Sequence, residues 1–318
     1  MTAAPGRIDL CAVPLEGPIL NGSGTFDAIA ARRAFGDALL ERFPFHAFVS
    51  KTITVEPREG NPPPRLFETS AGLINSIGLP NKGLERFLSE DLPALAELPV
   101  PLVVSVMGFS AEEVERLVRA VGVRPEVALI ELNVSCPNVE TGLVMGADPA
   151  ETERLLERVR PAAEKPLLVK LTPNASDPGA VAAAAERAGA DAVSLVNTFL
   201  AMAIDVETRR PKLTNIVGGL SGPAIRPIAV RMVYECRQAV KLPIIGMGGI
   251  ATAEDVLEFM IAGATAVQVG TANFVDPFIW AKLLDGLHNY MRRHSLERLS
   301  DLTGSLDTSK RHKAWISS

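Results

Sequence analysis

Residues 127–138 read VALIELNVSCPN, an apolar run that stops abruptly in amides, a hydroxyl and one thiol. A short apolar run closed by a Pro-Asn turn is the pattern of a strand buried on both faces whose last residues emerge at an edge. Alternation puts Asn133 and Ser135 on one face, so the turn before Pro137 must re-aim Cys136 if the thiol is to join them. A solitary cysteine is ordinarily a small buried hydrophobe. Here its neighbours are amides and hydroxyls, which points to chemistry.

Seven further runs of strand length end in the same way: 17–24 (GPILNGSG), 47–54 (AFVSKTIT), 101–108 (PLVVSVMG), 166–173 (PLLVKLTP), 192–199 (AVSLVNTF), 243–250 (PIIGMGGI) and 266–272 (AVQVGTA). Between most of them lie amphipathic helical patterns such as 111–122, 150–163 and 252–263, with Ser110, Asp177 and Thr252 as N-caps. Eight strand-helix alternations imply an α/β fold, a parallel sheet with right-handed crossovers that closes into a TIM (β/α)8 barrel rather than spreading open. A doubly wound sheet would want a G-x-G-x-x-G turn after an early strand, and the sequence has none. In a barrel the polar run ends converge on one mouth. Residues 55–82 and 200–221 break the rhythm as long excursions expected to line or cover that mouth. Residues 139–148, VETGLVMGAD, contain Gly142 and Gly146 and few anchoring apolar residues, so they are expected to form a mobile lid.

With 318 residues, 47% hydrophobic, the chain can bury a large core, and one barrel domain over 1–318 with a polar tail at 307–318 accounts for it. The net charge of −5 and the lack of clustered Lys and Arg outside SKRHK exclude a general nucleic-acid binder. No stretch reads as a membrane span or signal peptide. Cys11, Cys136 and Cys236 are far apart and form no C-x-x-C pair, so neither a metal site nor a disulfide framework is expected and a reducing cytoplasm fits.

Gly246, Gly248, Gly249 and Gly270-Thr271 end the seventh and eighth runs, where barrels hold phosphate on glycine amides; Gly218-Gly219 and Ser221-Gly222 add another permissive loop. Lys51 and Lys170 follow apolar residues at strand ends, so an anion is expected between them, either the N1/O2 edge of a reduced flavin or a substrate carboxylate. Asn75, Asn133 and Asn197, with Ser76 and Thr198, offer the mixed donors and acceptors that suit a pyrimidine ring. His46, His288, His294 and His312 lie away from these motifs. Cys136 is then the candidate base.

The strings NGSGTF, SKTIT, GNPPPRLFET, LINSIGLPNKG, ELNVSCPN, VKLTPN, NTFLAMAID, GGLSGPAIRP, GMGGI and VGTANF, in that order, resemble class 1 dihydroorotate dehydrogenases from about residue 7 to about residue 280. NTFLAMAIDVETRRPKL, RMVYE and TAEDVLEF look most like the NAD-linked, two-subunit branch. The resemblance implies an FMN-containing barrel that oxidises (S)-dihydroorotate to orotate, a homodimer of the catalytic subunit, and a partner subunit carrying FAD and a [2Fe-2S] cluster. By motif, Cys136 takes the C5 proton while hydride leaves C6 for flavin N5. Ser23, Lys51, Thr52, Asn133, Lys170, Val196, Gly222, Gly248, Gly249, Gly270 and Thr271 then contact FMN. Lys51, Asn75, Ser76, Ile77, Gly78, Leu79, Asn133, Asn197 and Thr198 hold substrate. Ser105 stands where the family often has Asn, so its FMN hydrogen bond is shortened, water-bridged or lost. Competing readings are a fumarate-linked dihydroorotate dehydrogenase, a dihydropyrimidine dehydrogenase-like flavoprotein, and a non-catalytic barrel that binds a phosphorylated ligand.

Overall fold

A computed structural model describes residues 6–135 and 146–309. Eight strands fall inside the eight apolar runs: β1 (Ile19–Asn21), β2 (Phe48–Val49), β3 (Leu102–Val106), β4 (Val127–Asn133), β5 (Leu167–Lys170), β6 (Ala192–Leu195), β7 (Ile244–Met247) and β8 (Ala266–Val269). They form one parallel sheet in the order β1-β8-β7-β6-β5-β4-β3-β2. A bridge between Leu20 and Ala47 brings its two ends together, so the sheet is a barrel.

Side chains complete that last seam. The Asn21 carboxamide donates to the Val49 carbonyl at 2.8 Å and accepts from the Val49 amide at 2.8 Å, standing in for a peptide group. One turn of chain earlier, the Ile19 amide donates to His46 Nδ1 at 3.2 Å while the His46 amide donates to the Ile19 carbonyl. Burial lowers the pKa of His46, in keeping with an imidazole that accepts through Nδ1.

The barrel interior is layered. Strands Ile8–Leu10 and Val13–Leu15 form a hairpin whose Ile8, Leu10 and Leu15 pack with inward Leu20, Val103, Leu129, Leu168 and Ile245 and plug the amino-terminal end. Because side chains alternate along a strand, the inward positions two residues further on make the next layer. There the interior turns polar, with Ser105, Glu131, Lys170, Ser194 and Gln268 all buried.

Helices cover the outside by burying apolar stripes. Helix Ala111–Gly122 buries Val114, Leu117, Val118 and Val121 on one face, each worth roughly 1.5–3 kcal/mol. Ser110, Asp177 and Thr252 all cap as expected, each side chain accepting an amide of the first helical turn. The third expected helix is one residue shorter at each end, Ala253–Ala262, and the second runs as Pro149–Val159 before tightening into a 3₁₀ turn. No helix among the described residues is long and apolar enough to cross a membrane.

The two excursions are not irregular loops. Strands Leu66–Thr69 and Gly72–Asn75 from the first, and Phe199–Met202 and Val217–Ser221 from the second, make a four-stranded antiparallel sheet. The central pairing joins Asn75 to Gly219 and Leu73 to Ser221. The glycines make this approach possible. A Cβ on Gly72 would strike the Ser221 carbonyl, and one on Gly219 would strike the Thr198 hydroxyl. Of the expected lid, residues 139–145 lie outside the described residues. Its end is anchored: the Gly146 amide donates to the Val134 carbonyl at 2.8 Å, and Asp148 caps the following helix.

Candidate active site

A cavity of about 590 Å³ opens at the carboxyl ends of the barrel strands, beneath the small sheet. Seven of the eight barrel strands, all but β3, or the loops after them supply part of the wall. Gly22 and Ser23 follow β1, Lys51 and Thr52 follow β2, Asn133 ends β4, Lys170 ends β5, and Val196, Asn197 and Thr198 follow β6. Gly248 and Gly249 follow β7, and Gly270 and Thr271 follow β8. Asn75, Ile77 and Leu79 come from the first excursion and Ser221 from the second, which Gly222 follows directly.

Three expected contacts stand elsewhere. Ser76 and Gly78 lie against Asn61: the Asn61 amide side chain donates to the Ser76 hydroxyl at 3.0 Å, and a Cβ on Gly78 would lie 2.6 Å from the Asn61 backbone nitrogen. Ser105 is fully buried one layer below the wall, with its hydroxyl 2.9 Å from that of Thr52. Thr52 in turn lies 3.1 Å from the Ser23 hydroxyl. Ser105 therefore orients a lining residue instead of lining the cavity itself. Cys136 lies outside the described residues.

The amide network at the end of β4 and β6 follows from strand alternation. Asn197 Nδ2 donates to the Ser135 hydroxyl at 2.8 Å and toward Asn133 Oδ1 at 3.4 Å, so Asn133 and Ser135 share a face. The Asn197 Oδ1 accepts the Thr198 amide at 2.9 Å, which fixes the side chain's direction. Asn75 Nδ2 donates to the Gly219 carbonyl at 3.3 Å, tying the same wall to the small sheet.

On the opposite side the wall is backbone. Gly222 and Gly249 have φ of 96° and 75°, and a Cβ on Gly249 would lie 2.7 Å from the Gly222 carbonyl oxygen. A side chain at either position would therefore push apart the loops that meet there. Thr271 Oγ1 donates to Ser221 Oγ at 2.8 Å across the same junction. Loops after the seventh and eighth strands with free glycine backbone are where barrels hold a phosphate. A Cβ on Gly270 would meet only Thr25, at 3.6 Å, and so leaves room for a ligand to approach the backbone.

Lys51 and Lys170 are the only ionisable residues among the described residues that line the cavity. Both are cations. Lys170 is 7% exposed and its ammonium makes no hydrogen bond among the described residues, so its donors are available to a ligand. Lys51 stands at the exposed rim; desolvation by the surrounding protein lowers its pKa, Asp27 opposes that shift and Arg65 adds to it. The wall offers two positive charges, amides and hydroxyls, with a floor that includes Met247 and Gln268. Such a chamber takes an extended anionic ligand with a phosphate at one end and a small polar anion beside it.

Gln268, which lines the cavity, and Glu131, buried beneath it, are residues that sequence reasoning passed over. Glu131 carried a signal, since a carboxylate inside the run VALIELN must find buried partners.

Fold and site together define a (β/α)8-barrel enzyme with its reaction chamber at the carboxyl ends of the strands. The family model described as Dihydroorotate dehydrogenase matches residues 7–291. The chain is 45% identical over 302 residues to the "Dihydroorotate dehydrogenase B (NAD(+)), catalytic subunit" of Pelobacter propionicus, covering 94% of this chain and 98% of that protein. It is 45% identical over 305 residues to the protein of the same name from Caldicellulosiruptor bescii, covering 95% and 99%. Against that of Alkaliphilus metalliredigens it is 43% identical over 307 residues, covering 96% and 100%. The chain belongs to the dihydroorotate dehydrogenase family.

Proposed function

We propose that this chain is the catalytic subunit of an NAD-linked dihydroorotate dehydrogenase, oxidising (S)-dihydroorotate to orotate with FMN in pyrimidine synthesis. The observation that carries the reading is the cavity with two lysines and, among the described residues, no carboxylate, walled by glycine backbone on one side and by Asn75, Asn133 and Asn197 on the other. Gly222, Gly248, Gly249, Gly270 and Thr271 would hold the FMN phosphate, and Lys170 the electron-rich edge of its ring. Ser23, Thr52, Asn133 and Val196 would flank the cofactor. Bound FMN supplies the two-electron acceptor for the hydride that leaves C6 of the substrate.

The other residues bind and move protons. Lys51 would pair with the substrate carboxylate at the rim, while Asn75, Asn133, Asn197 and Thr198, with Ile77 and Leu79, orient the pyrimidine ring. Cys136 is the base for the C5 proton. Support comes from the two described thiols, which are unsuited to that work: Cys11 donates to the Asp191 carbonyl and Cys236 to the Pro178 carbonyl, and burial pushes both up to about 12.

The electrons would pass on through a separate partner subunit carrying FAD and a [2Fe-2S] cluster, in the cytoplasm. Exposed Leu200, Met202 and Val217 on the small sheet, with Ile204 just beyond it, are suited to a second copy of the chain.

Anaerobic dihydroorotate should bleach the flavin absorbance, and dihydrouracil should not. Cys136→Ala should slow that bleaching roughly a hundredfold, as loss of a general base does. A variant that reduces its flavin at the parent rate would remove Cys136 from the mechanism, and bleaching by dihydrouracil alone would replace the substrate.

A further inference from the structure

Directly under the cavity floor lies a buried carboxylate that the proposed chemistry does not use. Glu131 sits on β4 one inward position below Asn133 and is wholly buried. Its Oε2 accepts from Gln268 Nε2 at 2.7 Å and from Ser194 Oγ at 3.1 Å. Its Oε1 faces Lys170 Nζ at 3.7 Å, close enough for an ion pair but beyond a hydrogen bond, and has no other partner among the described residues. Four strands contribute: β4, β5, β6 and β8. Lys170 and Gln268 line the cavity, whereas Glu131 and Ser194 do not.

All three neighbours offer donors, the surroundings that an acceptor-only carboxylate requires. An acid removed from water is tolerated only when paired and hydrogen-bonded. Lys170 has the complementary requirement. Its ammonium is divided between a carboxylate below that does not bond it closely and a cavity above that it lines. The strength of the cavity's positive field at that wall therefore depends on the charge beneath it, and in a dry interior that dependence is strong.

We propose that Glu131 is a positioning residue that sets the redox poise of the site: its charge offsets part of the Lys170 charge and so restrains stabilisation of the reduced, anionic flavin. The inference rests on the FMN reading above. Charge near the flavin N1 edge is one of the means by which a protein tunes the cofactor, and Glu131 acts on it only through the lysine. Ser194 and Gln268 hold the carboxylate on the side of the lysine away from the cavity.

Two variants of the FMN-loaded protein test this, with the flavin midpoint potential as readout. Glu131→Gln keeps the shape and removes the charge. At fixed solution potential, the ratio of reduced to oxidised flavin should rise about tenfold, equivalent to about 30 mV for a two-electron couple. By linkage, the apoprotein's affinity for reduced FMN should rise relative to that for oxidised FMN by the same factor. Ser194→Ala removes a donor that lies outside the cavity wall and competes with Lys170 for the carboxylate, leaving more of the negative charge to offset the lysine, so the ratio should fall. This second variant keeps the proposal testable if Glu131→Gln does not fold. An unmoved potential in either variant, or a shift of both in the same direction, overturns the role of Glu131 and leaves the FMN reading standing. A parent protein that binds no FMN and shows no flavin spectrum overturns both.

Discussion

Replacing Asn21 with alanine should loosen the barrel at the seam between β1 and β2 and, through it, the first two loops of the active site. The carboxamide is fully buried and makes two bonds of 2.8 Å with the backbone of Val49, plus a longer one of 3.2 Å to the Gly22 carbonyl. In Asn21→Ala the Val49 amide and carbonyl both lose their partner, and leaving a buried polar group unpaired costs about 1–3 kcal/mol. The space vacated is polar on two sides, so a water can enter and restore part of each bond. The expected loss is then about 2–3 kcal/mol, a large fraction of the ~5–15 kcal/mol by which folded domains are stable. In urea, with a slope of about 3 kcal/mol per molar, the midpoint should fall by roughly 0.7–1 M at fixed excess FMN. Because β1 leads into Gly22-Ser23 and β2 into Lys51-Thr52, FMN should also bind more weakly. Asn21→Asp is the control: it can still accept from the Val49 amide but sets an oxygen against the Val49 carbonyl, so it should recover none of the loss. A midpoint within 0.2 M of the parent for Asn21→Ala would refute the idea that this side chain closes the barrel.

Two further predictions concern the lysine and the thiols. Because desolvation lowers the Lys51 pKa, the ammonium is lost on raising the pH before an ordinary lysine at 10.5 would lose it. If Lys51 holds the substrate carboxylate, kcat/KM for dihydroorotate should decline with rising pH from a point below 10.5, and Lys51→Met should lower kcat/KM and abolish that limb. An alkaline limb unchanged in Lys51→Met would assign it to another group. Cys11 and Cys236, both pushed up to about 12, should stay unlabelled by iodoacetamide in the native protein, which peptide mass spectrometry reads directly. At pH 8 each would be thiolate only about one part in ten thousand. Rapid labelling of either, with the fold intact, would contradict the burial that raises them.

Much of this protein is written locally in its chain. The eight strands were readable because parallel strands buried on both faces need uninterrupted apolar runs, and the helices between them because Ser110, Asp177 and Thr252 cap amphipathic patterns. Barrel geometry then puts polar residues at the run ends on one mouth, which is why Lys51, Asn133, Lys170, Asn197 and Gly270 could be grouped without coordinates. Which of residues 76–79 face the cavity was not legible in the same way, because the chain leaves the strand after Asn75, with positive φ at Gly78 and Leu79, and Ser76 bonds Asn61. Pairings across long stretches of sequence leave no such trace. Nothing in residues 55–82 or 200–221 specifies that Asn75 will pair with Gly219, because a strand's partner is chosen by the three-dimensional approach of two backbones. The same holds for Asn21 replacing a peptide group at the seam and for Glu131 meeting Lys170, Ser194 and Gln268. Sequence periodicity fixes which face a side chain takes along its own strand; only closure of the barrel decides which residues from other strands it meets there.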